Sequence, residues 1–165
     1  MDLLWSPWRL QYVSSSKHEG CVFCEAPKHE DRNGQILFRG KVSYIIMNAF
    51  PYNTGHVMVV PFRHVPSLEL LTEEEAIEVH RNVARSLRAI RKVYKPDGFN
   101  VGVNIGSAAG AGVAGHVHVH IVPRWVGDSN FMAILSNTKV LPEMLNDTYS
   151  RLRPALEADE EALDH

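Results

Sequence analysis

Hydrophobic and polar positions along the chain follow two rhythms, one of period two and one of period 3.6, and the change of rhythm marks the elements. Residues 35–39 and 43–48 read as extended segments. Residues 56–61, His-Val-Met-Val-Val-Pro, are a short apolar run of the kind that forms a buried strand. Between them Pro51-Tyr52-Asn53-Thr54-Gly55 is a turn. A helix begins at Thr72, where Glu75 three residues on completes a capping box and Glu73 and Glu74 favour the positive helix end. Its apolar stripe is Ala76, Val79, Val83, Leu87, Ile90 and Tyr94, and Pro96 stops it. Arg85, Arg88, Arg91 and Lys92 read as its solvated face. Residues 98–105 return to a strand, 106–115 form a small-residue loop, 142–153 predict a shorter helix, and 155–165 a frayed acidic tail. Residues 1–34, with Ser14-Ser15-Ser16 and Cys21-Val22-Phe23-Cys24, read as an irregular N-terminal segment. Hairpin-like strands with one long helix between them predict an α+β domain with a mainly antiparallel sheet. No repeat or second domain is visible, so 1–165 reads as one domain.

The most informative pattern follows the loop: Gly115-His116-Val117-His118-Val119-His120-Ile121-Val122-Pro123-Arg124-Trp125. As a strand, this stretch lines three histidines along one face and turns Val117, Val119 and Ile121 toward a core. Three aligned imidazoles give no packing advantage and repel when charged, so a purely structural reading is the weaker one. They can bind a metal, attack an electrophile or relay protons near neutral pH. His118 has a histidine two positions away on either side, which makes it the best nucleophile by position.

Composition narrows the classes. Apolar residues are 45% and charged residues 22% of 165, an ordinary globular balance, and the net charge of −2 argues against a general nucleic-acid or membrane-surface binder. No apolar run is long enough to span a membrane, and Met1-Asp2-Leu3-Leu4-Trp5-Ser6-Pro7-Trp8-Arg9 lacks the layout of a secretory signal, so a cytoplasmic protein is expected. The only cysteines, Cys21 and Cys24, have a spacing that in a cytosolic chain suggests metal or redox chemistry rather than a disulfide framework.

The loop Gly106-Ser107-Ala108-Ala109-Gly110-Ala111-Gly112-Val113-Ala114-Gly115 is no P-loop, having no Lys-Ser or Lys-Thr ending, and it opens no helix, so the dinucleotide fingerprint fails. Its small residues let backbone N–H groups approach an anion. Beside three histidines this suggests phosphoryl chemistry: a neutral imidazole can attack phosphorus, and neighbouring donors stabilise the charge on the oxygens.

These residues resemble a family. His116-Val117-His118-Val119-His120-Ile121-Val122 matches the His-φ-His-φ-His-φ-φ signature (φ apolar) of the histidine triad, or HIT, superfamily. The likeness extends to Asn48 with Gly55-His56-Val57-Met58-Val59-Val60-Pro61, and to Asn104-Ile105-Gly106, in that order and with the helix between the blocks. The flanks, Leu4-Trp5-Ser6-Pro7-Trp8-Arg9 and Pro123-Arg124-Trp125-Val126-Gly127-Asp128-Ser129-Asn130-Phe131, are similar to the diadenosine tetraphosphate phosphorylase-like branch. The resemblance implies a HIT-like sheet of about five strands with one long helix and a shorter C-terminal one. It implies His118 as nucleophile, His120 as a phosphate contact and His56 as a supporting histidine. It implies Asn48 at the ribose and Asn104 on the phosphate side, with Gly106, Ser107, Gly112 and Trp125 completing the substrate contacts. Relatives that are nucleoside phosphoramidases carry Gln-Ser or Gln-Thr before the triad. Gly112-Val113 stands there in this chain, which counts against that activity and shifts phosphate binding onto backbone N–H groups. An apolar adenine pocket is expected from Ile45, Met47 and Phe38, closed at one end by Trp125 or Phe131.

In zinc-bearing members of the superfamily the partners of such a cysteine pair match His64 and His116 here, so the resemblance implies a structural zinc site of Cys21, Cys24, His64 and His116. A reduced thiol pair without metal is the alternative. No organic cofactor is expected. The leading expectation is a nucleotidyltransferase that cleaves diadenosine tetraphosphate with phosphate to ATP and ADP, and homodimeric by resemblance. The alternatives are a hydrolase using water, a nucleoside phosphoramidase, and a nucleotide-binding regulatory module without turnover.

Overall fold

The computed structural model describes residues 20–128 and 142–161. Five strands, β1 (Ile36–Arg39), β2 (Ser43–Met47), β3 (Val57–Pro61), β4 (Gly98–Val103) and β5 (Val119–Arg124), pair antiparallel throughout in the order β1-β2-β3-β5-β4. The helices are α1 (Val22–Glu25), α2 (Glu73–Tyr94) and α3 (Leu145–Glu161). This is the expected α+β, HIT-like arrangement of one antiparallel sheet, one long helix and a C-terminal helix.

Alternation within the strands divides the core between the two faces of the sheet. On one face Ile45, Met47, Val57, Val59, Val119 and Ile121 pack against Val79, Ala89 and Ile90 of α2 and Tyr149, Leu152 and Leu156 of α3. On the other, Tyr44, Ile46, Met58 and Val60 pack against Phe23 of α1. Strands β2 and β3 are buried at every position, which explains why residues 56–61 read as a continuous apolar run. The capping box forms as expected: Glu75 N donates to Thr72 Oγ1 at 3.2 Å and Thr72 N to Glu75 Oε2 at 2.8 Å. The helix ends with Lys95 in the left-handed region (φ 49°), one residue before Pro96.

Four expectations need correction. The histidine strand starts at Val119, because Val117 N donates to Val65 O outside the sheet ladder; His116 and His118 lie in the extended approach to β5. The C-terminal helix continues to Glu161 instead of fraying from 155, since Leu152 and Leu156 are buried on α2 and Asp159 pairs with Arg88 at 2.7 Å. The basic positions of α2 are more than a solvated face: Arg85 stacks on Phe38 and Arg91 on Phe99, with guanidinium-to-ring distances of 3.8 and 5.0 Å. Within 1–34, residues 22–25 and 26–28 are helical turns. The sequence features at 4–9, 14–16 and 129–131 lie outside the described residues.

Candidate active site and metal cluster

On the α1 face of the sheet the histidines converge from three segments. His120 lies in β5, opposite Met58 of β3 in the ladder. His118 and His116 precede it, and His56 enters just before β3. The His118 and His120 rings are 4.8 Å apart between centroids, and the His56 and His120 rings 5.2 Å. His56, His116 and His118 are buried.

The backbone partners assign the protons. His118 Nδ1 lies 2.8 Å from the carbonyl oxygen of His116, an obligate acceptor, so Nδ1 carries the hydrogen and Nε2 keeps its lone pair. At His56 the logic reverses. Tyr52 N–H donates to His56 Nδ1 at 3.0 Å, so the ring proton sits on Nε2. That Nε2 lies 3.0 Å from His120 Nδ1, which therefore accepts, and the His120 proton moves to its own Nε2. Neighbouring imidazoles thus present opposite faces, a nucleophilic nitrogen on His118 and a hydrogen-bond donor on His120. Burial lowers the His118 pKa, with its bond to the His116 carbonyl opposing, which favours the neutral ring.

Two neighbours of these rings escaped the sequence reading. Phe23 stands against His118 with centroids 4.8 Å apart and against His116 at 5.6 Å. Its place is fixed by Tyr44, whose hydroxyl donates to Phe23 O at 2.6 Å. Tyr52 lies over His56 at 4.9 Å and His120 at 6.2 Å. A phenylalanine between two cysteines and a tyrosine in a turn carry no local signal of these contacts.

The remaining expected residues fall in different environments. Asn48 bonds inside its own turn: its Oδ1 accepts from Phe50 N at 2.9 Å, and its Nδ2 lies 3.3 Å from His56 Nδ1. Asn104 Nδ2 donates to Gly110 O at 3.5 Å, across the small-residue loop. In that loop Ala109 N and Ala111 N donate to Gly106 O and Gly110 N to Ser107 O, so part of the expected anion nest is spent on the loop itself. Trp125 N donates to Asp128 Oδ2 at 3.1 Å. The expected adenine pocket is not where it was placed: Ile45, Met47 and Phe38 are buried beneath the helices, on the face opposite His120.

Beside the triad Cys21, Cys24, His64 and His116 gather their donor atoms within 4.8 Å of one another, a group that can hold a metal ion. Cys21 Sγ and Cys24 Sγ lie 3.3 and 3.6 Å from His116 Nδ1, and Cys24 Sγ lies 3.3 Å from His64 Nδ1. His116 Nε2 is 2.8 Å from Pro61 O, which places its hydrogen there and turns Nδ1 toward the thiols as a lone pair. Burial first, then the adjacent Cys21 thiol, hold the Cys24 pKa above its ordinary value.

Residues 30–126 match the family model described as HIT domain. The chain belongs to the HIT-domain family. An AP-4-A phosphorylase of Mycobacterium tuberculosis is 44% identical over 157 residues, covering 90% of this chain and 80% of that protein. The bis(5'-nucleosyl)-tetraphosphatase [asymmetrical] of Schizosaccharomyces pombe is 39% identical over 94 residues, 57% of this chain and 51% of that one. Among solved structures, a zinc-bound histidine triad family protein from Mycobacterium smegmatis superposes with a TM-score of 0.69 at 25% identity, covering 87% of this chain and 97% of that one. No helix among the described residues is long and apolar enough to cross a membrane.

Proposed function

We propose that this HIT protein is a nucleotidyltransferase that cleaves dinucleoside polyphosphates through a nucleotidyl-histidine. The observation that carries the reading is the set of contacts, His118 Nδ1 to His116 O and Tyr52 N to His56 Nδ1 with His56 Nε2 to His120 Nδ1, from which opposed protonation of His118 and His120 follows. His118 Nε2 attacks the α-phosphorus of diadenosine tetraphosphate. A P–N bond forms, the P–O bond to the β-phosphate breaks, and its electron pair leaves with ATP. The His120 Nε2–H donates to a phosphate oxygen as charge grows there. An oxygen of inorganic phosphate then attacks the same phosphorus, the P–N bond breaks, and ADP leaves with His118 restored. His56 keeps His120 oriented. Asn48, Asn104, Gly106, Ser107, Gly112 and Trp125 supply the substrate contacts.

The relatives support this reading through what they are named for, an AP-4-A phosphorylase and a bis(5'-nucleosyl)-tetraphosphatase. The choice of phosphate over water rests on the first, which matches the greater share of the chain. Incubation with diadenosine tetraphosphate, with and without phosphate, tests it. Phosphate-dependent ATP and ADP are expected, and none from His118→Ala. AMP and ATP without phosphate would make the protein a hydrolase, and turnover by His118→Ala would reject the nucleophile.

The metal we assign to Cys21, Cys24, His64 and His116 is zinc. Two sulfurs at about 2.3 Å and two nitrogens at about 2.0–2.1 Å in a tetrahedron leave S···N edges of about 3.5 Å. Three of the four sulfur–nitrogen separations, 3.3 to 3.6 Å, fit that edge. Four protein ligands complete the tetrahedron, so the ion would be structural and would pin α1 to the sheet. We also infer a cytoplasmic homodimer. The free cysteines suit a reducing compartment, and the edge strand β4 exposes Val101. Elemental analysis and sedimentation test the two assignments.

A further inference from the structure

Apart from Trp125, the motif Pro123-Arg124-Trp125-Val126-Gly127-Asp128 has no part in the chemistry above, yet its polar groups close a dense network at the end of the histidine strand. After β5 ends at Arg124 the chain reverses through Gly127, whose φ of 81° suits glycine, and Asp128 N donates to Trp125 O at 3.0 Å. This folds Asp128 back onto its own strand end. The carboxylate accepts from Arg124 Nε at 2.6 Å and Nη2 at 2.7 Å, the two-pronged pairing in which guanidinium geometry is strongest. It also accepts from Asn53 Nδ2 at 2.7 Å, and Asn53 Nδ2 reaches Pro123 O at 3.0 Å. Asn53 is buried.

Asn53 belongs to the turn that delivers His56. Its carbonyl accepts from His56 N at 3.1 Å, and the residue before it supplies the N–H that sets the His56 proton. The large side chains of the turn contribute little burial, since Phe50 and Tyr52 are 62% and 45% exposed, while Gly55 packs near Tyr94 and Pro123. Polar bonds therefore contribute to its position relative to β5, and Asn53 ties its tip to the far end of the histidine strand through Pro123 O and the Asp128 carboxylate. A shift of about 1 Å would stretch the 3.0 Å bond between His56 and His120 beyond hydrogen-bonding range.

We infer that Asn53 and Asp128 are positioning residues: their cross-link holds the 51–56 turn against the end of β5, so that His56 keeps His120 as a proton donor. The inference rests on the assignment of His118 and His120 to the reaction. Arg124 fixes the Asp128 carboxylate, and Asn100, whose Oδ1 accepts from Arg124 Nη1 at 2.8 Å, fixes Arg124 from β4.

Asn53→Ala and Asp128→Asn test it with two readouts. The first is steady-state turnover of diadenosine tetraphosphate with phosphate. We expect kcat to fall by about tenfold or more in both variants, with KM changing little in Asn53→Ala, since Asn53 bonds to none of the proposed substrate contacts. The second is the nitrogen-bound ring proton of His56 in ligand-free protein, seen in 1H–15N spectra and assigned by its absence in His56→Gln. It should shift or vanish in both variants and persist in His118→Ala, which is inactive for another reason. Wild-type kcat in both variants, or lowered kcat with the His56 resonance unmoved, overturns the inference. A lowered melting temperature with kcat and resonance as in the wild type makes the network purely structural and overturns it too. Asp128→Asn keeps the shape of the side chain and serves alone if Asn53→Ala does not fold. If the wild type turns over no dinucleoside polyphosphate, the assigned reaction fails, while the resonance still reports whether the cross-link positions His56.

Discussion

Phe23→Ala probes how far the proposed metal site and the packing around His118 depend on one another. Phe23 is 5% exposed, sits between the two cysteines, and touches both His116 and His118. Truncating a buried phenylalanine costs about 3–5 kcal/mol, including the loss of its edge contacts with neighbouring rings. At roughly 2–4 °C per kcal/mol for a chain of this size, the melting temperature should fall by roughly 6–20 °C. Cys24→Ser removes a proposed metal ligand from the same short helix, so the two changes share one structural element. Their costs should not add: with α1 already loosened by one, the other should cost less, with a coupling energy of about 0.5–3 kcal/mol. The assay is denaturant unfolding of wild type, both single variants and the double variant at one fixed zinc concentration. Additivity within about 0.5 kcal/mol, or a Phe23→Ala cost below about 1 kcal/mol, would refute the coupling of ring and metal.

Three further outcomes follow from the structure. Glu75 is held down from 4.5 to about 2, chiefly by its bond with the Arg63 guanidinium, so it adds stability above pH 4.5 that disappears as pH falls through about 2. In Glu75→Gln, acid titration of the unfolding midpoint should lose that part of its slope. Gly115→Ala would set a Cβ 3.2 Å from His64 Nε2, so His64 must shift; zinc affinity, measured by chelator competition, should fall while the fold persists. Glu78→Ala strips the acceptor from Val42 N, Ser43 N and the Ser43 hydroxyl, at 3.0, 2.7 and 2.8 Å. At about 1–3 kcal/mol per buried orphan, denaturant unfolding should show a loss of at least about 3 kcal/mol.

The long helix was legible because it buries one face with helical period and Thr72 with Glu75 marked its start, and β3 because a strand buried throughout leaves a continuous apolar run. The triad was legible because its alternating pattern runs on from β5 into the segment that precedes it, where the ladder does not reach. Other features depend on contacts that no local pattern encodes. His116 and Cys21 are 95 residues apart, and only resemblance joined them before the sheet brought them together. Ile45, Met47 and Phe38 looked like ligand-lining residues because an apolar side chain reads alike beneath a helix or at a pocket wall. The tail at 155–161 looked frayed because Arg88 of α2, which pairs with Asp159, is distant in sequence. Asn53 read as a turn former, and its bond to Asp128 depends on two loops meeting at the end of β5.

The protons of His118 and His56 are set by main-chain groups, the carbonyl of His116 and the amide of Tyr52. No side-chain exchange at those two positions reverses this polarity unless it removes the amide, as proline would. The site should therefore tolerate altered composition around it and resist altered length. A single deletion between Asn48 and His56, or between His116 and His120, would slide the donors past the rings and leave four histidines with no instruction as to which gives and which takes.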